Sequence, residues 1–393
     1  MDYIKITLKP GKEDSFHRFH PWVFSGAIYR FEKQPEEGDI VEVTDHQGNF
    51  IGIGQYQIGS IAVRILTFKP EEINEQFYFK RLQEAYNVRL SLGLLNGEYN
   101  NTCRLVHGEG DNLPGLIIDL YNKTAVMQAH TPGMHYARHQ IAQALKSVLG
   151  NAIDNIYYKS ETTLPYKAEL DAENEYLLGG DAPNIATENG LKFYVDWVRG
   201  QKTGFVDQRE NRALLERYAH GRSVLNMFCY TGGFSFYAMR GNAKLVHSVD
   251  SSSKAIDLTC KNVELNFPGD NRHQAFAEDA FKFLDTMGDQ YDLIILDPPA
   301  FAKHKKVLNN ALQGYRKLNA KAFEKIRPGG ILFTFSCSQV VSKENFRLAV
   351  FSAAAQSGRN VRILHQLTQP ADHPVNIYHP EGEYLKGLVL YVE

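Results

Sequence analysis

From residue 191 onward, short apolar runs alternate with amphipathic stretches, and this alternation constrains the fold more than any other feature. Leu191 to Val198 reads as a strand and Gln208 to Tyr218 as a helix. Ser223 to Asn226, Gly233 to Met239, Leu245 to Val249 and Ser253 to Asn266 repeat the pair twice more. Strands separated by helices need crossover connections, and crossovers build a doubly wound parallel sheet. Tyr291 to Leu296 and Ile331 to Phe335 are continuously apolar, as strands covered on both faces must be. The first breaks into Asp297-Pro298-Pro299-Ala300-Phe301 and the second into Ser336-Cys337-Ser338. Ligands of open α/β sheets bind beyond the carboxyl ends of the strands, so a carboxylate and a thiol are expected to face one crevice.

The first βα turn, Val224 to Phe234, contains Thr231-Gly232-Gly233 and lacks the GxGxxG of a dinucleotide site. Glycine lets backbone approach a ligand closely, and the shorter guest that suits this turn is S-adenosylmethionine. Phe228, Tyr230, Thr231, Gly232 and Gly233 then form the cofactor loop. Asp250, with Ser251 beside it, is placed to accept hydrogen bonds from ribose hydroxyls. Asp279 and Ala280 are expected at the adenine amino group, and Asp297 closes the site. Lys202 and Gln208 are candidates for the methionine carboxylate and amine. A lone Gly-Gly is ordinarily a tight turn and a lone strand-end Asp a helix cap; their order and spacing carry the assignment.

At 393 residues the chain exceeds one ordinary core. Residues 1–72 alternate with period two between glycines and charged turns, which predicts a small β-barrel ended by Lys69-Pro70-Glu71-Glu72. Residues 73–187 predict a central α+β domain: a helix from Asn74 to Leu92, strands around the turn Gly110 to Gly115, a helix from Gly133 to Leu149 and a strand from Ile153 to Lys159. Residues 188–393 form the parallel-sheet domain.

A net charge of -2 argues against coating nucleic acid through bulk charge. A local patch remains, because Lys303, Lys305, Lys306, Arg316, Lys317, Lys321, Lys325 and Arg327 face only Glu324 between Pro298 and Gly330. Either this is a solvated helix face, or its first lysines hold phosphate beside the strand end. Cys103, Cys229, Cys260 and Cys337 lie far apart, without the spacing of a zinc site or a disulfide framework, which suits a reducing cytoplasm. Neither a leader nor a membrane-spanning run is visible.

With these motifs in order, the chain resembles the class I S-adenosylmethionine-dependent methyltransferases, and within them the bacterial 23S ribosomal RNA cytosine-5 methyltransferase I family. The resemblance runs almost end to end. His20-Pro21-Trp22-Val23-Phe24 and Gly38-Asp39-Ile40-Val41 resemble its PUA domain, an RNA-binding β-barrel, and Gly108 to Leu116 is similar to its central domain. Gly200 to Phe205 with Asp207-Gln208-Arg209 matches the start of its catalytic domain. Asn226 to Phe234, Asp250, Asp297 to Phe301, Phe335 to Ser338 and Ala371-Asp372-His373-Pro374 follow in the family's order. The resemblance implies a Rossmann-like catalytic domain, ribosomal RNA as partner, methylation at C5 of a cytosine, Cys337 as nucleophile and a homodimer. Where many wider relatives carry a second, product-releasing cysteine, this chain has Pro299, which leaves the releasing base open.

The residues suit that chemistry. A thiolate added at C6 makes C5 enamine-like. Asp297 would hold the N3 proton if burial raises its pKa, and a neighbouring cation would lower that of the thiol. Pro298, Pro299 and Phe301 are expected at the substrate, with Phe301 either stacking on a flipped base or filling the core. Lys303, Lys305 and Lys306 are expected at phosphate. His373 either faces RNA or makes a structural hydrogen bond. Cys229, Cys103 and Cys260 read as packing residues. No metal site is expected. The competing readings are a methyltransferase of the same fold acting on a guanine or an exocyclic amine, for which Cys337 is incidental, and a non-catalytic RNA-binding assembly protein.

Overall fold

The period-two alternation of the first seventy residues is realised as β1 (Ile4–Leu8), a single-turn helix α1 (Asp14–His17), β2 (Trp22–Phe24), β3 (Ile28–Phe31), β4 (Ile40–Thr44), β5 (Phe50–Tyr56) and β6 (Ile61–Thr67). This computed structural model describes residues 3–165, 170, 173–180, 183–198 and 206–393. Among them the first six strands form one sheet in the order β2-β6-β5-β4-β1-β3. Ile6, Leu8, Val41, Val43, Val63 and Ile65 point inward and make its core, while the intervening side chains face outward.

Asn74 caps helix α2 (Glu75–Ser91) by accepting from the Phe77 N–H at 3.1 Å. Then follow β7 (Thr102–His107), β8 (Leu116–Tyr121), β9 (Thr124–Ala129), α3 (Pro132–Tyr136), α4 (Arg138–Leu149), β10 (Asn155–Tyr158), β11 (Glu175–Leu178) and β12 (Ile185–Glu188). β7 to β11 form a second sheet in the order β11-β10-β9-β8-β7. Ile141, Ala144 and Leu145 put an apolar stripe of α4 into its core.

The two sheets belong to one compact unit, made of Met1–Gly190, Val195–Val206 and Ala371–Gly382. Each sheet keeps its own apolar core on either side of the expected division after residue 72, and the two meet closely. Leu66 of β6 packs in the core of the second sheet, and a Cβ on Gly133 would lie 2.3 Å from the Gln55 side chain of β5. The unit also buries charge. Arg89 pairs with Asp111 and donates to the Asp372 carbonyl at 2.7 Å; Arg104 grips Asp119 at 2.9 and 3.1 Å. Buried ions are tolerated only when paired in this way. Residues 371–382, assigned above to the last domain, thus belong to the first unit.

The second unit comprises Leu191–Tyr194, Asp207–Pro370 and Glu383–Glu393. Its elements are β13 (Leu191–Tyr194), α5 (Arg209–Tyr218), β14 (Ser223–Met227), α6 (Gly233–Arg240), β15 (Leu245–Asp250), α7 (Ser253–Asn266), β16 (His273–Ala277), α8 (Ala280–Thr286), β17 (Leu293–Leu296), α9 (Leu308–Lys325), β18 (Gly330–Ser336), α10 (Lys343–Ser357), β19 (Val361–Thr368) and β20 (Lys386–Val392). The sheet order is β16-β15-β14-β17-β18-β20-β19. β14 to β18 pair in parallel, and β20 runs against both β18 and β19. β17 and β18 are buried along their whole length, as their unbroken apolar runs require. Strand order reverses between β14 and β17, the switch point at which such sheets bind ligands.

Candidate active site

Beyond β14 the backbone turns through Phe228 at φ +58°, Tyr230 at φ +49° and Gly232 at φ +86°. Left-handed backbone costs a non-glycine residue about 1 kcal/mol, so the surroundings must impose it. They do. Cys229 N–H donates to the Val249 carbonyl at 3.0 Å, and Tyr230 N–H donates to Asp250 Oδ2 at 3.0 Å. Thr259 Oγ1 donates to the Tyr230 carbonyl at 2.9 Å and Asn262 Nδ2 to that of Thr231 at 3.1 Å. The loop is thus held by α7 and by the end of β15. Glycine at 232 serves the turn and the helix behind it: a Cβ there would lie 2.6 Å from the Phe236 ring and 2.7 Å from Thr259. Beside it Gly233, the first residue of α6, is buried with Thr231.

Asp250 is half-buried and accepts Tyr230 N–H on one oxygen and Ser252 N–H, at 2.9 Å, on the other. Ser251 is exposed beside it. Asp279 caps α8 through Oδ1, accepting from Phe281 and Lys282 N–H at 3.0 and 3.1 Å, in front of buried Ala280. Asp250, Asp279 and Asp297 therefore stand at or just beyond the carboxyl ends of β15, β16 and β17, with the loop of β14 between them. That row of acceptors matches the donors of S-adenosylmethionine, namely a ribose diol, an adenine amine and an α-ammonium, and the residues fit the cofactor. Lys202 lies outside the described residues.

Gln208 is buried, its amide donates to Asp297 Oδ1 at 3.1 Å, and its Oε1 accepts from Asn211 at 2.6 Å, so it orients the Asp297 carboxyl. Removal from water is the main force that lifts the Asp297 carboxyl to about 7; the Asp207 charge adds to it, while Gln208 and Arg212 oppose it.

Cys337 follows β18, next to β17 in the sheet, and its Sγ lies 3.9 Å from the Pro298 carbonyl oxygen. Among the protein's own groups, burial and then the charges of Asp297 and Asp207 push its thiol up to about 12, with Lys386 opposing. Lys386 is buried, and its ammonium donates to the carbonyls of Ser338 at 2.5 Å and Val341 at 2.6 Å. Those bonds pin the chain just after the cysteine. Ser336 Oγ donates to Tyr315 at 2.8 Å, and Ser338 Oγ donates to the Ala302 carbonyl. Phe301 lies on Tyr315, ring centroids 4.7 Å apart, within the core cluster of this unit, so one of its faces is already taken. Pro298 is buried and Pro299 exposed; Lys303, Lys305 and Lys306 are all exposed.

In the first unit His373 is buried, its Nδ1 is 2.9 Å from Asp372 Oδ1, and burial depresses its pKa to about 4. Cys229 is buried against Thr259 at 3.9 Å. Asp207, Tyr384, Asn211, Tyr315 and Lys386 were given no role from sequence. Only Lys386 left a signal, as a lone cation opening an apolar strand. Among the described residues no helix is long and apolar enough to cross a membrane, and no cluster of His, Cys, Asp and Glu is placed to hold a metal.

Residues 6–68 match the PUA-like domain model, and residues 158–380 match that of the S-adenosylmethionine-dependent methyltransferases. The chain is 41% identical to the ribosomal RNA large subunit methyltransferase I of Tolumonas auensis, over 98% of each protein. It is 37% identical to that of Escherichia coli, over 99% of each. Its fold is shared with a candidate SAM-dependent methyltransferase from Streptococcus mutans, at TM-score 0.84 and 23% identity over 99% of this chain and 100% of the other. A candidate methyltransferase solved with SAH gives 0.85 and 24% over the same shares. The protein is an S-adenosylmethionine-dependent methyltransferase and belongs to the ribosomal RNA large subunit methyltransferase I family.

Proposed function

We propose that this enzyme methylates C5 of a cytosine in 23S ribosomal RNA, with Cys337 as covalent nucleophile and Asp297 as the carrier of the N3 proton. The substrate class follows from the names of the relatives that match over the whole chain. The chemistry rests on one observation above all: a thiol and a carboxyl titrating near 7 stand at the ends of adjacent parallel strands. A carboxyl poised there can both take and give a proton near neutral pH.

Asp297 takes the proton of the Cys337 thiol and passes it to N3, so no free thiolate need persist in a site that disfavours one. Sulfur bonds to C6, the C5=C6 pair moves to C4–C5, and the C4=N3 pair takes up the proton at N3. Bound S-adenosylmethionine would supply an electrophilic methyl group to the electron-rich C5, its sulfur keeping the pair of the broken S–CH3 bond. Gln208 and Asn211 keep the Asp297 carboxyl oriented throughout, and Lys386 fixes the segment that carries the sulfur. Methylation of a guanine or an exocyclic amine would leave this thiol without work.

Ribosomal RNA carrying 5-fluorocytosine tests the reading. Fluorine at C5 cannot leave as a proton does, so methyl transfer should end in a denaturant-resistant protein–RNA adduct. Cys337→Ala should form no adduct and lose roughly 10³-fold or more in rate while binding cofactor normally; Cys229→Ala should still form it. Near wild-type methylation by Cys337→Ala would replace this reading with the amine or guanine one. We further propose a homodimer, which sedimentation of the full chain would test.

A further inference from the structure

The mechanism above leaves one proton without an acceptor. After C5 has gained its methyl group it still carries its hydrogen, and the ring regains its double bond only when that hydrogen leaves. Pro298 and Pro299 carry no titratable group. Asp297 is engaged at N3, the Lys386 ammonium is committed to two carbonyls, and burial pushes the Tyr315 phenol up to about 12.

We propose that Asp207 is the base that takes the C5 proton, so that two neighbouring carboxylates divide the two proton transfers between them. The inference rests on the cytosine-5 reading and extends it. Asp207 directly precedes Gln208, whose amide holds Asp297 at 3.1 Å. From the other side, the Tyr384 hydroxyl donates to Asp207 Oδ2 at 3.0 Å. Tyr384 lies two residues before Lys386, which pairs in the sheet with Ser336, the neighbour of Cys337. Asp207 is thus fastened between the carboxyl that serves N3 and the strand end that carries the nucleophile. Its negative charge acts on both, lifting the Asp297 carboxyl and the Cys337 thiol. Two carboxyl groups in unlike surroundings can divide two proton-transfer roles between them.

The step balances. Asp207 takes the proton from C5, and the C5–H pair becomes the C5=C6 double bond. The C6–S bond breaks with its pair returning to Cys337. The N3 proton goes back through Asp297 to the sulfur, and Asp207 releases the C5 proton to water.

The test uses the full-length enzyme, S-adenosylmethionine and a 23S ribosomal RNA transcript labelled with tritium at cytosine C5. Asp207→Asn should still transfer the methyl group but stall, accumulating a denaturant-resistant adduct on ordinary RNA, with tritium release slowed roughly 10²–10⁴-fold. The adduct should vanish in Asp207→Asn combined with Cys337→Ala. Tyr384→Phe removes a hydrogen bond that favours the carboxylate form, so it should move the acidic limb of the tritium-release profile to higher pH. Tritium release by Asp207→Asn at the wild-type rate, without adduct, would overturn the proposal. So would an Asp207→Asn protein that folds and binds cofactor yet forms no adduct even on 5-fluorocytosine RNA, since Asp207 would then act before the methyl transfer. A wild-type enzyme that forms no adduct on 5-fluorocytosine RNA would instead refute the covalent reading itself.

Discussion

A carboxyl that titrates near 7 carries a stability cost as well as a catalytic use. An unfolded aspartate ionises at 3.8, whereas folded Asp297 does so at about 7. The folded chain therefore binds the extra proton between those values, and the stability this residue contributes at low pH is lost as pH rises through 7. Asp297→Asn resembles the protonated form and can keep the Gln208 bond. It should raise the melting free energy at pH 8 by on the order of 2 kcal/mol while slowing methylation severely. Equal melting of the two proteins at pH 8 would show that Asp297 is not desolvated as described. The Asp297 and Cys337 strand ends were legible from sequence because unbroken apolar runs announce buried strands. The elevated thiol pKa and the turning of Gln208 toward Asp297 were not. They depend on burial and on Asp297, Asp207 and Gln208, all distant in sequence from the groups they act on, and no local period encodes such pairings.

Among the elements, the loop after β14 and the segment after β17 make separable predictions. The Asp250 carboxylate holds the N–H groups of Tyr230 and Ser252, and we propose that it also takes the cofactor's ribose hydroxyls. Asp250→Asn would turn an amide nitrogen toward at least one of those donors. It should therefore weaken S-adenosylmethionine binding, roughly 10-fold or more by calorimetry, and also increase hydrogen exchange at Tyr230 and Thr231. The short helical turn at Lys305 and Lys306 is exposed. If these lysines and Lys303 hold phosphate, replacing all three with alanine should flatten the salt dependence of RNA binding, by close to one unit of slope for each phosphate no longer neutralised. An unchanged slope would mark the segment as an ordinary solvated surface. The alternation of strand and helix was readable because each helix must cover the sheet. The direction of Gly232 was not, because a glycine in a turn looks the same in sequence whether it opens toward a ligand or packs on Phe236.

For the molecule as a whole, the partition into two units is the feature that sequence hid. Composition and turns suggest a break at residue 72, the apolar core does change from one sheet to the other there, and Leu66 and Gln55 join the two sheets across it. Calorimetry should accordingly resolve two unfolding transitions, and removing residues 1–72 should destabilise the rest of the first unit instead of excising a free module. Both transitions should be acid-sensitive, since burial depresses His247 and takes His273 of the second unit to about 4. His373 titrates at about 4 when folded against 6.5 when free, and burial depresses His107 as well. Between those values only the unfolded chain binds the proton, so stability present above 6.5 is lost as pH falls toward 4, by about 3 kcal/mol for His373 alone. The same segment has a consequence for synthesis. Residues 371–382 complete a unit that otherwise ends at 206, and they bring Asp372 to the backbone of Arg104 at 3.0 Å and to the Arg89 guanidinium at 2.7 Å. A chain emerging from the ribosome amino end first must hold that half-finished unit, its arginines still lacking Asp372, while the whole parallel sheet is translated. Neither unit closes until residues 371–393 are made, so apolar surface of both stays open through most of synthesis.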